Sequence, residues 1–338
     1  MDDAGHPYAK LTPDCVLDAL EQAGWQVDGR LFALNSYENR VYQIGLDDGA
    51  SVVAKFYRPG RWRDDEIAEE HAFALELAAR EIPLVAPLAR DGKTLFEHAG
   101  FRFAVAPRMG GRTPELDDPS VLEWIGRFLG RIHAVGKTRP FRARPALDPQ
   151  TFGHEPRDFL LEGDLVPPEL HAAWSSIAAL ALDTVERRWG EASGVAAIRL
   201  HGDCHPGNIL WAPIDDRAGA TGGPHFVDLD DCRGGPAVQD LWMLLSGERD
   251  AMQRQLGAVL RGYESFCEFD SRELILIEPL RTLRLLHYSA WIARRWDDPA
   301  FPAAFPWFGT PRYWQDRILE LREQVAAMDE PPLDIPDR

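Results

Sequence analysis

Three polar side chains in one segment have the types and the spacing that phosphoryl transfer requires. Asp203 and Asn208 are separated by four residues in a loop, and Asp228 follows twenty residues later in an apolar run. A carboxylate can accept the proton of an attacking hydroxyl, whereas a second carboxylate and an amide oxygen suit the hard cation Mg²⁺. We therefore predict that Asp203 accepts the substrate proton. Asn208 and Asp228 are predicted to bind Mg²⁺ beside nucleotide phosphates, with Asp228 counted as catalytic together with Asp203.

The residues around these three predict short strands that end at the polar groups. Apolar runs at 195–200 and 209–211 flank the loop, which contains Pro206 and two glycines. A Gly-rich turn over 219–223 then leads to a predicted strand over 225–229. The spacing Asp-x-x-x-x-Asn alone would also fit a turn with an Asx cap. The order strand, loop, strand, turn, strand favours a phosphotransfer site.

A lysine on a predicted strand is the candidate for contacting the nucleotide phosphates. Lys55 lies in the strand predicted over 51–57, where the alternative is an ordinary surface lysine at a strand end. The next helix carries three glutamates that could orient this lysine, namely Glu66, Glu69 and Glu70. Glu70 shares the apolar face of the helix, so we predict that it pairs with Lys55, with Glu69 as the competitor.

The turn before the second strand is the candidate phosphate loop. It reads Asn35-Ser-Tyr-Glu-Asn-Arg40 and contains no glycine. Backbone N–H groups and the hydroxyl of Ser36 could still contact phosphate, although an ordinary polar turn fits the same residues. Ser36, Lys55 and Glu70 are thus the predicted nucleotide-binding residues.

The periodicity along the chain predicts an α+β protein with two lobes. A small β-rich nucleotide-binding lobe is predicted over residues 1–107, and a larger helical catalytic and substrate lobe over 108–338. The nucleotide is expected in the cleft between them. Strands are predicted over 31–34, 40–44, 51–57, 94–98 and 101–106. Helices are predicted over 12–23, 64–80, 120–136, 167–189, 237–245, 251–266, 273–296 and 314–328.

Composition and charge limit the partners. A chain of 338 residues with net charge −17 and a pI near 5.0 argues against nucleic-acid binding and against binding to anionic membranes. The four cysteines are far apart and form no C-x-x-C pair, so neither a disulfide framework nor a structural zinc site is expected. The acidic N-terminus lacks the apolar stretch of a secretory signal. We expect a cytoplasmic monomer.

The motifs taken together resemble a known family. Lys55, His201-Gly-Asp203, Asn208 and Asp228 resemble the aminoglycoside phosphotransferase and choline kinase branch of the protein-kinase-like fold. Longer blocks resemble bacterial stress response kinase A over nearly the whole chain. They are Leu34-Asn-Ser-Tyr-Glu-Asn-Arg-Val-Tyr-Gln43, Lys55-Phe-Tyr-Arg-Pro59, Leu200-His-Gly-Asp-Cys-His205, Gly207-Asn-Ile-Leu-Trp211, Phe226-Val-Asp-Leu-Asp-Asp231 and Gly235-Pro-Ala-Val-Gln-Asp-Leu-Trp-Met243.

The resemblance implies cytoplasmic Ser/Thr protein kinases that act in an envelope-stress response, use ATP and Mg²⁺ and phosphorylate themselves. It implies the roles given above for Asp203, Asn208 and Asp228, and it implies an ATP-site position for Ser36. Asp240 would brace the catalytic loop, although a helix N-terminal Asp is also stabilised by the helix dipole. The catalytic loop has His-Gly-Asp in place of His-Arg-Asp, and an Ala-Pro-Glu segment is absent. Control by an activation loop is therefore not expected.

Three hypotheses about the function follow, and the first two differ in the acceptor of the phosphoryl group. The chain is expected to phosphorylate proteins, itself included. The same residues would fit a small-molecule kinase of the aminoglycoside or choline type, and the acidic charge would suit a cationic acceptor. A nucleotide-binding pseudokinase is disfavoured because all four functional residues are retained. An aromatic segment with Trp291, Arg295 and Trp307 corresponds to part of the substrate pocket in those small-molecule kinases, and core packing is the alternative.

Overall fold

The computed structural model describes residues 6–212 and 222–335. The N-terminal residues Met1–Gly5 and part of the predicted Gly-rich turn lie outside the described residues. Two compact units make up the chain. Unit 1 contains Met1–Pro114, Arg142–Arg144 and Gly207–Asp230, and unit 2 contains Glu115–Phe141, Pro145–Pro206 and Asp231–Arg338. The lobe boundary after residue 107 stays a prediction.

Most strands lie in one antiparallel sheet of unit 1 and most helices lie in unit 2, and this segregation confirms the predicted α+β class. The strands are β1 (Val27–Leu34), β2 (Arg40–Leu46), β3 (Ser51–Phe56), β4 (Phe96–His98), β5 (Phe101–Pro107), β6 (Ile198–Leu200), β7 (Ile209–Ala212), β8 (Gly223–Phe226) and β9 (Arg233–Gly235). The helices are α1 (Pro13–Gln22), α2 (Asp64–Ala78), α3 (Pro119–Gly136), α4 (Glu155–Glu162), α5 (Pro168–Glu191), α6 (Gln239–Trp242), α7 (Arg249–Tyr263), α8 (Ile277–Ala293), α9 (Ala300–Ala304) and α10 (Pro311–Asp329).

Unit 1 contains an antiparallel sheet of five strands in the order β1-β2-β3-β5-β4. Strand β3 alternates buried and half-buried residues, so that Ala54 and Phe56 face the core while Lys55 faces the other side. Trp25, Ile44 and Phe103 fill the same core. This alternation is the period-two pattern of a half-buried strand, and it fixes the side of the sheet on which Lys55 lies.

A second, two-stranded sheet in unit 1 carries the predicted metal ligands. Strands β7 and β8 pair antiparallel with Ile209 opposite Phe226. The prediction of a strand over 225–229 is wrong, because β8 ends at Phe226 and Asp228 has φ +60°. A left-handed residue cannot continue a strand, although its apolar neighbours give the strand pattern. Asp228 therefore sits in the turn that follows the strand.

Unit 2 is mainly helical, and two of its helices pack at very short distance. Gly126 and Gly130 of α3 face the backbone of α7, where a Cβ at either position would overlap the carbonyl oxygen of Val259 or Tyr263. Strands β6 and β9 pair antiparallel, and the loop that contains Asp203 follows β6. None of the helices within the described ranges is both long and apolar enough to cross a bilayer.

Several predicted helix limits in unit 2 were wrong. The helix predicted over 273–296 is a 3₁₀ turn, Ser271–Leu276, followed by α8. Pro279 explains the break, because in a longer helix it would remove an interior backbone hydrogen bond. The helix predicted over 237–245 is only the four-residue α6. Helices α4 and α9 were missed, since eight and five residues are too short for a clear periodic pattern.

Candidate active site

Lys55 and Glu70 form an ion pair in unit 1. Nζ of Lys55 on β3 lies 2.9 Å from Oε1 of Glu70 on α2, and the Glu70 side chain is buried. The other two glutamates of this helix have different partners. Glu66 accepts a hydrogen bond from the N–H of Arg63 and caps the helix, while Glu69 accepts from the N–H groups of Arg142–Arg144. The structure therefore distinguishes the three glutamates that the sequence left open.

Two more carboxylates surround the same lysine. Nζ of Lys55 lies 3.4 Å from Oδ1 of Asp230 and 3.7 Å from Oδ1 of Asp228. Burial disfavours the charged ammonium, but the attraction of Glu70, Tyr57, Asp230 and Asp228 outweighs it and raises the pKa of Lys55 well above its usual value. The raised pKa favours the ammonium form of Lys55.

Asp228 and Asp230 differ in exposure, and this difference separates their roles. The side chain of Asp228 is 51% exposed, whereas that of Asp230 is 5% exposed. Asp230 is held by an ion pair with Arg61, and its carbonyl oxygen accepts a hydrogen bond of 2.5 Å from Arg144. Asp230 is thus a buried anchor, while Asp228 presents its carboxylate to solvent and can take a ligand.

Asn208 lies at the same end of the two-stranded sheet as Asp228. Its main-chain carbonyl oxygen accepts a hydrogen bond of 3.0 Å from the N–H of Val227, which directly precedes Asp228. The side-chain amide of Asn208 is not used in this bond. An amide oxygen and an exposed carboxylate at one sheet end are oxygen donors that fit Mg²⁺. No cluster of three His, Cys, Asp or Glu side chains able to hold a metal occurs in the described parts of the chain. Two protein ligands suffice for Mg²⁺, which when bound would supply positive charge to nucleotide phosphates.

Ser36 lies in the turn between β1 and β2, as the sequence indicated. Its hydroxyl donates a hydrogen bond of 3.0 Å to the carbonyl oxygen of Asn39 and is half-buried. The side-chain oxygen of Asn39 in turn accepts from the N–H of Arg58, at 3.1 Å. The turn is therefore ordered by side chains in place of glycines. The ATP-site role of Ser36 stays a prediction.

Unit 2 holds Asp203, and a buried carboxylate braces the loop that carries it. Asp240 accepts hydrogen bonds of 2.8 Å from the N–H groups of His201 and Gly202. Burial would raise the pKa of Asp240. The hydrogen bond from His133 and the charge interactions with His133 and His201 outweigh burial and lower this pKa below its usual value. The predicted bracing role of Asp240 is confirmed. Gly202 has φ +86°, and a Cβ there would overlap the carbonyl oxygen of Asp231.

The carboxylate of Asp203 has a cationic partner that the sequence did not suggest. Nη1 of Arg284 on α8 donates a hydrogen bond of 2.7 Å to Oδ1 of Asp203. Nε2 of His205 lies 3.5 Å from Oδ2 of the same carboxylate. The side chain of Asp203 is 24% exposed and that of Arg284 is 40% exposed, so both reach solvent.

Sequence reasoning also missed Asp230, Arg61 and Arg144. Asp230 stands two residues after Asp228, and Arg61 follows Lys55 by six positions, so a local signal existed for both. Arg144 had no such signal, because its contact with Asp230 joins positions 86 apart. Such contacts depend on the tertiary fold and leave no periodic trace.

Comparisons with known proteins give the family of this chain. Residues 31–276 match the phosphotransferase enzyme family. Stress response kinase A of Salmonella choleraesuis and serine/threonine protein kinase RdoA of Salmonella typhimurium are each 46% identical over 335 residues, covering 99% of both chains. A solved structure of amicoumacin kinase with AMP-PNP, Ca²⁺ and Ami has a TM-score of 0.69 at 18% identity and covers 94% of both chains, which confirms the kinase-like fold. The chain belongs to the phosphotransferase enzyme family and, within it, to the stress response kinase A family.

Proposed function

We propose that this chain is a cytoplasmic, monomeric Ser/Thr protein kinase that uses ATP and Mg²⁺, phosphorylates itself and acts in a bacterial stress response. The full-length relative named serine/threonine protein kinase RdoA supports a protein acceptor. The matched phosphotransferase family supports phosphoryl transfer as the reaction.

The observation that carries the proposal is the arrangement around Lys55. Its ammonium is held 2.9 Å from Glu70 and 3.7 Å from the exposed Asp228. A fixed cation beside an exposed carboxylate is suited to nucleotide phosphates, because the cation contacts phosphate oxygens and the carboxylate takes the metal. A purely structural ion pair would not require the exposed third carboxylate.

Asp203 completes the reaction on the acceptor side. The hydroxyl oxygen of the acceptor attacks the γ-phosphorus of ATP, the bond from that phosphorus to the β–γ bridging oxygen breaks, and ADP leaves. The hydroxyl proton passes to the carboxylate of Asp203, which is accessible and is held by a braced loop. The peptide N–H groups of His201 and Gly202 therefore act by fixing the loop that carries Asp203.

A labelling experiment separates a protein acceptor from a small-molecule acceptor. The purified chain is incubated with Mg²⁺ and γ-labelled ATP, with and without myelin basic protein, beside Asp203→Asn and the matched control Asp183→Asn on the exposed side of α5. We expect protein label with the wild type and the control, and at least ~10²-fold slower labelling with Asp203→Asn. ATP binding without protein label would instead favour a small-molecule acceptor.

A further inference from the structure

One stripe of α8 combines cationic and aromatic side chains with the predicted catalytic carboxylate. Arg284, Tyr288 and Trp291 are spaced by four and three positions and therefore share one helix face. Arg295 extends this line into the turn after the helix, and all four side chains are half-buried. We define these four residues as the α8 stripe. On the opposite face Leu286 is buried in unit 2, and Leu283 beside the stripe is buried as well.

One end of the α8 stripe lies at the predicted catalytic carboxylate. The contact of 2.7 Å between Arg284 and Asp203 places the first residue of the stripe against the carboxylate that accepts the substrate proton. Eleven positions separate Arg284 from Arg295, and a helical rise of about 1.5 Å per residue gives the stripe a length of roughly 16 Å. An extended peptide of about five residues has the same length. The stripe thus begins at the Asp203 carboxylate and has the length of about five extended residues.

Aromatic packing supports the middle of the stripe. The rings of Tyr288 and Trp291 stack with centroids 5.7 Å apart, and Trp291 also contacts Phe301 at 5.0 Å and Phe305 at 5.8 Å. The guanidinium of Arg295 lies 5.3 Å from the Trp291 ring. Flat, supported rings of this kind offer a large contact area at little entropic cost on binding. The contacts of Trp291 show the packing that the sequence allowed, and a place in the substrate pocket stays a prediction.

Arg284 supplies the charge that selects the acceptor. Among the described residues, Asp203 is the one acidic group that contacts Arg284, through Nη1 only. A guanidinium carries several further N–H donors in a fixed fork, and these suit a carboxylate. A cationic group beside the acceptor hydroxyl would meet the positive charge of Arg284, whereas an acidic group would pair with it. The local charge therefore opposes the cationic acceptors of choline or aminoglycoside type.

Building on the proposed function, we propose that the α8 stripe binds the acceptor segment of a protein substrate that has acidic residues beside its Ser or Thr. Arg284 pairs with an acidic side chain of that segment and positions the Asp203 carboxylate, and Tyr288 and Trp291 contact the chain beyond it. The net charge of −17 acts over longer distances, and it is screened beyond about 8–10 Å at physiological salt. The guanidinium of Arg284 therefore determines which charge of the acceptor segment is favoured beside Asp203.

The test compares an acidic and a basic acceptor protein. Initial rates with γ-labelled ATP and Mg²⁺ are measured for dephosphorylated casein and for myelin basic protein, using wild type, Arg284→Gln, Arg284→Lys and Arg281→Gln. Arg281 is the matched control, because it lies on the same helix but pairs with Glu278 at 3.4 Å. Thermal unfolding and ATP affinity show whether each variant is folded and still binds nucleotide.

We expect wild type to have the higher kcat/KM for casein. Arg284→Gln should lower the ratio of kcat/KM for casein to kcat/KM for myelin basic protein about tenfold, mainly by raising KM for casein. Arg284→Lys should keep most of the preference for casein. Arg281→Gln should leave this preference unchanged. A ratio that is the same in wild type and Arg284→Gln would overturn the inference, even if both rates fall. Wild type that labels itself but has no preference also overturns it. The absence of any protein label, self-label included, would instead refute the proposed function.

Discussion

The Nε2 atom of His133 on α3 lies 2.9 Å from Oδ2 of Asp240 on α6, and both side chains are fully buried. The same carboxylate accepts the N–H groups of His201 and Gly202 at 2.8 Å. One buried anion thus joins a core helix to the loop that carries Asp203. The position of the predicted base consequently depends on the packing of unit 2.

Asp240→Asn should weaken both stability and activity. The amide keeps one acceptor oxygen but turns an NH₂ group towards a backbone N–H, which leaves a buried donor without an acceptor. We expect the free energy of unfolding to fall by about 2–4 kcal/mol and the rate of phosphoryl transfer to fall at least tenfold. Urea unfolding and labelling rates measure the two effects, with Asp183→Asn on α5 as the exposed control. An Asp240→Asn protein as stable as the control would remove the bracing role.

Lys55→Met should abolish phosphoryl transfer while also disturbing its surroundings. The substitution removes the cation that lies 2.9 Å from Glu70 and 3.4 Å from Asp230, and both of these carboxylates are buried. We expect at least ~10²-fold slower labelling and weaker ATP binding, because phosphate oxygens lose their cationic partner. Isothermal titration with ATP gives the affinity. Lys93→Met, at an exposed position of unit 1, is the control and should bind ATP like the wild type.

A double substitution separates the two effects of losing the lysine. In Lys55→Met with Glu70→Gln, the buried carboxylate is removed together with its partner, so we expect stability to recover relative to Lys55→Met alone. Activity should stay low, since phosphate contact depends on the ammonium. If the double variant transferred phosphate at the wild-type rate, Lys55 would have no part in the reaction.

Stability should depend on pH through Glu273. Its carboxyl group accepts a hydrogen bond of 2.7 Å from the N–H of Val238, just before α6. Burial raises the pKa of Glu273 from about 4.5 to about 7. Because the folded pKa exceeds the unfolded one, the folded state retains the proton more strongly. This contribution to stability is complete below about pH 4.5 and is lost as the pH rises through 7.

The measurement is urea unfolding of wild type, Glu273→Gln and the exposed control Glu169→Gln at pH 5.5 and 8. The free energy of unfolding of the wild type and of the control should fall by about 2 kcal/mol more than that of Glu273→Gln between these pH values. A glutamine has no proton to lose and can still accept from Val238. Equal pH dependence in all three proteins would contradict the raised pKa.

The sequence predicted local relationships well and distant ones poorly. Period-two alternation placed Lys55 on one face of its strand, and helical spacing favoured Glu70 as its partner, because both patterns extend over a few residues. The contact of Arg284 with Asp203 joins positions 81 apart, and no local pattern encodes it. The end of β8 was misplaced because Val227 and Leu229 continue the apolar run while Asp228 takes a left-handed conformation.

Asp228→Asn should abolish activity without unfolding the protein. Asn tolerates the left-handed conformation at φ +60°, and the side chain is 51% exposed, so the turn after β8 is preserved. The variant loses a carboxylate charge beside Asn208, and an amide is a weaker ligand for Mg²⁺. We expect wild type to bind ATP more tightly with Mg²⁺ than without it, and this gain should be largely absent in the variant. Titrations with and without Mg²⁺ test this independently of turnover. Asp47→Asn, in the hairpin turn of unit 1, should retain the full gain, and a variant Asp228→Asn that also retained it would exclude Asp228 from the metal site.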